Sequence, residues 1–125
     1  MSKVNSTDNM DVSKLSNDEI TALAESVFEN KVRGRDSVVH LSNSSWEIKV
    51  DKRDKNELTV AIEIYSYAGD AMRGDFHNKK TGKFLAGIEE LVIESPRDGK
   101  TCKFVIFDTM DIGGNEYTLY YRLSK

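Results

Sequence analysis

Apolar residues change their spacing once along this chain, and that change constrains the fold more than any other feature. Between Ile20 and Phe28 they recur at helical intervals; after Val38 they recur almost always at every second position. The expected fold class is therefore α+β: an N-terminal amphipathic helix packed on a twisted, mainly antiparallel sheet of about six strands. A length of 125 residues gives room for one core. The expected organisation is a polar leader, residues 1–14, followed by a single domain, residues 15–125. The leader is rich in Ser, Asn, Asp, Lys and Thr and has too few apolar groups to offset the entropy of ordering, so it reads as flexible.

The helix start is the sharpest local signal. Ser16-Asn17-Asp18-Glu19 spells a capping box, in which the Ser16 hydroxyl accepts from the Glu19 N–H and the Glu19 carboxylate reaches back to the Ser16 N–H. Leu15 and Ile20 flank it as a hydrophobic staple. Ile20, Leu23, Ala24, Val27 and Phe28 then form one stripe, with Glu25, Glu29 and Asn30 opposite. Gly34 is placed to stop the helix, and Lys31, Arg33 and Arg35 complement its negative end.

Strands follow. Ser37 to Leu41 is short and β-branched, and Ser42-Asn43-Ser44 turns the chain. Trp46, Ile48 and Val50 alternate with Glu47, Lys49 and Asp51. After a charged turn, Leu58, Val60, Ile62 and Ile64 form one face, and Thr59, Ala61, Glu63, Tyr65 and Tyr67 the other. These two runs make a hairpin with a solvated outer face, on which Lys49 can pair with Glu63. Lys83 to Ser95 reads as a brief helical turn and then a strand. Pro96-Arg97-Asp98-Gly99 is a turn, because Pro presets φ and Gly accepts positive φ. Lys100 to Asp108 carries Cys102, Phe104 and Ile106 on one face and Val105 and Phe107 on the other, a pattern expected of a central strand covered twice. Gly113-Gly114-Asn115 turns into a last strand, with Tyr117, Leu119, Tyr121 and Leu123 against Thr118, Tyr120 and Arg122.

The chain offers little to catalysis. It has two histidines and one cysteine, no nucleophile elbow and no complete phosphate loop. His40 sits in an apolar strand, and Cys102 on a strand face reads as a buried, inert thiol. No cofactor is expected, and an enzymatic role is disfavoured. The best enzymatic alternative centres on the glycine-rich stretch 68–82. There Asp70 and Asp75 would bind a cation and His77 would move a proton, making a metal-binding protein, a small-ligand site or a hydrolase. A second alternative is nucleic-acid binding through the basic run 73–83, with Arg73, Lys79, Lys80 and Lys83 beside Phe76 and Phe84. A net charge of −3, from 21 Asp and Glu against 18 Lys and Arg, argues against general attraction to nucleic acid or anionic lipid.

The longest apolar runs are far too short to span a bilayer, the first ten residues lack the apolar core of a secretory signal, and a lone cysteine allows no internal disulfide. A cytoplasmic location is expected. A single short helix leaves one face of a broad sheet uncovered, and that face carries Val105, Phe107, Tyr120 and Tyr65. Either the sheet curls to bury those groups or another chain meets them. The expected function is thus a small protein-binding module of inhibitor or immunity type. Its mechanism would be surface occlusion without turnover, through Tyr65, Tyr67, Phe76, Val105, Phe107 and Tyr120. Self-association through the same sheet is compatible with this.

Overall fold

The computed structural model describes residues 10–33, 44–67 and 87–124. A helix, α1 (Asn17–Arg33), precedes five strands: β1 (Ser45–Arg53), β2 (Leu58–Tyr65), β3 (Glu90–Glu94), β4 (Thr101–Gly113) and β5 (Glu116–Leu123). All neighbours are antiparallel, in the order β1-β2-β5-β4-β3. Among the described residues the sheet thus has five strands, where about six were expected in the whole chain. The expected strand Ser37–Leu41 and the stop at Gly34 lie outside the described residues, as does the start of the expected helical turn after Lys83. The described end of that stretch, residues 87–89, is not helical.

The capping box forms as the sequence dictates. Glu19 N–H donates to Ser16 Oγ at 3.1 Å, and Ser16 N–H to Glu19 Oε1 at 3.0 Å. Arg97, in the turn between β3 and β4, also reaches Glu19 at 3.1 Å. The Ser16 N–H bond first, and then Arg97, hold the Glu19 carboxyl below its ordinary range. Ser16→Ala is expected to cost about 1 kcal/mol, read as a lower urea midpoint at unchanged slope.

The inward face of α1 is Ile20, Ala24, Phe28 and Val32, all buried, with Leu23 and Val27 packed at its margins. The helix packs on β1 and β3, which are the two edges of the sheet. Edges so far apart in strand order can both reach one helix only if the sheet curls around it. The concave face therefore holds the core: Ile48, Leu58, Val60, Ile62, Ile64, Leu91, Ile93, Phe104, Leu119 and Tyr121.

Residues 10–14, which composition assigned to the flexible leader, are placed against the domain. Met10 N–H donates to Thr101 O at 2.9 Å, and Val12–Lys14 form a 3-10 turn capped by Asp11. The Arg53 guanidinium bonds to Val12 O at 2.9 Å, Leu15 O at 2.8 Å and Asn17 Oδ1 at 2.6 Å. Met10 and Val12 rest against the core. Residues 10–14 are thus docked by bonds from distant strands, which composition does not reveal.

Candidate functional site

The curl settles which groups face outward. Helix and core fill the concave side, so the opposite parity of each strand makes the convex face. The pairing places Tyr65 opposite Glu116, Glu63 opposite Thr118, Ala61 opposite Tyr120 and Thr59 opposite Arg122. Arg122 in turn stands opposite Val105 on β4. Tyr65, Tyr120, Val105 and Phe107 therefore share this convex face. Curling does not bury all of them: Tyr65 stays 41% exposed and Phe107 43%, while Val105 and Tyr120 are half-buried. The expectation that β4 is covered on both faces is corrected accordingly. Its concave residues are covered by the core, but its convex side is open at Phe107.

The expected solvated outer face of the β1–β2 hairpin holds for Glu47 and Lys49, which are exposed, but not for Thr59 and Ala61, which are 3% and 1% exposed. Lys49 meets Glu63 at 3.6 Å across the diagonal, since the direct partner of Lys49 is Ala61. The Thr59 hydroxyl is buried without a hydrogen-bond partner.

A one-residue bulge between Ile106 and Asp108 sets Phe107 beside Tyr120, with ring centroids 6.4 Å apart. The Arg122 guanidinium lies 5.1 Å above the Phe107 ring. The three groups form one amphipathic patch. Beyond the bulge, the sequence reading missed Met110 and Ile112, which are 49% and 51% exposed. The signal was present in the apolar spacing of Phe107, Met110 and Ile112, but it departs from period two because bulges intervene.

Tyr65 stands among carboxylates. Glu63 first, then partial burial, Glu116 and Glu47 raise its phenol above the ordinary range. Tyr67 lies past the end of β2 and is almost fully exposed. An open hollow of about 580 Å³ separates these two tyrosines from the β4–β5 turn, with Ser44, Ser45, Asn115 and Glu116 on its walls. Its lining mixes the two tyrosines and the turn glycines Gly113 and Gly114 with hydroxyl, amide and carboxylate groups.

Phe76, Asp70, Asp75, His77 and the basic run 73–83 lie outside the described residues. Among the described residues, no three His, Cys, Asp or Glu side chains stand together as metal ligands. No described helix is long and apolar enough to cross a membrane. The basic groups at the helix end have tertiary work: Lys31 Nζ donates to Gly87 O at 3.0 Å, and Arg33 donates to Ser44 O at 3.1 Å while lying 4.4 Å over Trp46.

Cys102 is half-buried on the concave side with its sulfur 4.0 Å from that of Met10. Burial pushes its thiol up to about 11. The thiolate is the reactive form, so a thiol reagent at neutral pH is expected to label native Cys102 far more slowly than the urea-unfolded chain; equal rates would show that the docked N-terminal segment opens freely.

The fold and face define an α+β domain whose sheet curls around α1 and leaves an aromatic convex surface. Compared with known proteins, the chain matches no family model, no curated protein and no solved structure.

Proposed function

We propose that this chain is a protein-binding module of inhibitor or immunity type, which acts by occupying a partner's surface and turns nothing over. The observation that carries the reading is the convex patch. Phe107 and Tyr65 are each about two-fifths exposed on the side of the sheet away from the helix, with Tyr120 beside Phe107. Large aromatic groups held on a rigid sheet supply contact area at low entropic cost, and Tyr and Arg are common anchors of protein interfaces. The carboxylates around Tyr65 and the Arg122 guanidinium give the patch a charged border that would fix orientation. Blocking would be steric and electrostatic.

The test is capture from a host lysate with the wild type beside a Tyr65→Ala/Tyr120→Ala variant, with circular dichroism and a thermal melt confirming that the variant is folded. A single protein retained by the wild type and lost by the folded variant supports the reading and names the target. Asp70→Ala and His77→Ala are expected to leave capture unchanged. Loss of function in these two, with thermal stabilisation by a divalent ion, would overturn the reading in favour of a loop-centred metal site.

A further inference from the structure

Among the described residues, Thr59 Oγ1 is the only buried side-chain oxygen or nitrogen without a hydrogen-bond partner. Burying a hydroxyl unpaired is costly, and a group of this kind often marks the place of a water or an ion. Thr59 lies on the convex face, and its direct cross-strand partners are Lys52 on β1 and Arg122 on β5. Residues directly opposite on antiparallel strands have Cβ atoms about 5 Å apart. Both long side chains can therefore roof the hydroxyl while their charged heads stay in water, and both residues are exposed. A roof of two flexible side chains is one that a ligand can displace.

The position of Lys52 is made by a bulge. β1 pairs Val50 with Val60 and then Lys52 with Thr59, which leaves Asp51 out of the ladder. In an unbroken ladder Asp51 would oppose Thr59. The bulge thus puts a cation in place of a carboxylate beside the buried hydroxyl, and re-aiming a side chain is a recurrent use of bulges. On the other side, Arg122 lies over the Phe107 ring at 5.1 Å, a contact that neutralises none of its charge. Two carboxylates stand near Lys52. Glu57 Oε1 is 3.2 Å from its Nζ, and Glu57 first, then Asp54, raise the Lys52 ammonium above its ordinary range. The Lys52–Glu57 pair is on the surface, so it is weak and open to exchange.

We propose that Lys52, Thr59 and Arg122 form a binding site for a phosphate-class oxyanion. The Arg122 fork and the Lys52 ammonium hold the charge, and the Thr59 hydroxyl donates to one oxygen. Lys52 exchanges Glu57 for the ligand, and the buried hydroxyl gains an acceptor. The site goes beyond the protein-binding reading. It borders the aromatic patch through Arg122 but uses neither Tyr65 nor Tyr120.

The test is a titration of the isotope-labelled full chain with inorganic phosphate, at an ionic strength held constant with chloride, followed by amide and arginine side-chain chemical shifts. Saturable shifts centred on Lys52, Thr59 and Arg122 would support the site. Thr59→Val removes the hydroxyl at nearly constant shape. It should weaken binding several-fold and, in phosphate-free buffer, raise the urea midpoint, because a costly unpaired group is gone. Thr59→Ser should keep binding. Arg122→Gln should abolish the saturable shifts, and Glu57→Gln should tighten binding by releasing Lys52; these two exposed positions decide the matter should Thr59→Val prove unfolded. A phosphate monoester titrated in parallel separates the sources: tighter binding of the ester points to a phosphoryl group on a larger ligand, tighter binding of the inorganic ion to a free anion, and either supports the site. No shifts at these residues, shifts that do not saturate, or shifts equal in the wild type and Arg122→Gln would mean a general salt effect or an adventitious ion only, and would overturn the proposal. So would a lowered urea midpoint for Thr59→Val in phosphate-free buffer, since the hydroxyl would then already be satisfied. The protein-binding reading still stands or falls on the Tyr65/Tyr120 capture, which none of these outcomes touches.

Discussion

Phe28→Ala should be among the most damaging single substitutions in this chain, with a loss of about 3–5 kcal/mol. Phe28 is fully buried at the centre of the α1 stripe, and its ring meets Trp46 edge-on, with centroids 5.3 Å apart and planes at 82°. Truncation removes the transfer energy of the ring and leaves a cavity where helix and curled sheet meet. Because α1 bridges the sheet edges β1 and β3, the surroundings cannot collapse into that void without disturbing the curl of the sheet. A domain of this size has a total stability of about 5–15 kcal/mol, so the variant should sit at the margin of folding. Trp46 is the only tryptophan and touches the mutated site, so its fluorescence in a urea titration reports the loss directly. The matched control is Phe107→Ala, the same deletion on the convex face, where the ring is 43% exposed; it should cost about 1 kcal/mol or less. Comparable losses for the two would contradict the assignment of core and open face.

The contrast between these two phenylalanines also shows what the sequence made legible. Parity alone put Phe104 and Phe107 on opposite faces of β4 and Tyr65 with Tyr120 on one surface, but it did not say which face would stay open. The capping box and the positive-φ glycines in the two turns, Gly99 with φ 73° and Gly113 with φ 98°, are local signals and were readable in the same way. Two things were not. Strand order depends on which hydrophobic faces meet after collapse, and β5 inserts between β2 and β4, a choice no single segment encodes. The length of β4 was hidden because its second half carries Asp108 and Asp111 and two bulges. Each bulge resets the phase, so a strict period-two reading stops at Asp108 although the ladder continues to Gly113. The same phase reset concealed Met110 and Ile112 as surface groups. The docking of Met10 and Val12 was illegible for a related reason: it depends on Arg53 and on the Thr101 carbonyl, both far away in sequence.

Tyr121→Phe is expected to lose about 1–3 kcal/mol at neutral pH and to change the alkaline stability profile. Tyr121 is fully buried on the concave face, and its hydroxyl donates to the Ile88 carbonyl at 2.8 Å. That bond ties β5 to the chain entering β3, across the intervening strand β4. Removing the hydroxyl leaves the Ile88 carbonyl without this donor in a buried setting, and that desolvation sets the size of the loss. Burial, with a smaller contribution from Glu89, raises the phenol well above its ordinary range. The sign follows. A group whose folded pKa exceeds its unfolded value contributes stability that is complete below the unfolded value, about 10 for a phenol, and is lost as pH climbs through the folded value. Above about pH 10 the unfolded chain ionises while the native phenol does not, so wild-type stability should fall by about 1.4 kcal/mol per pH unit from this group. Tyr121→Phe lacks that dependence. Urea titrations between neutral pH and the alkaline limb should therefore show a gap between wild type and variant that is widest near neutrality and narrows steadily above pH 10. A gap that stays constant would mean that Tyr121 ionises as readily in the native protein as in the unfolded chain, and would remove the buried hydroxyl from the account of how β5 and β3 are held together.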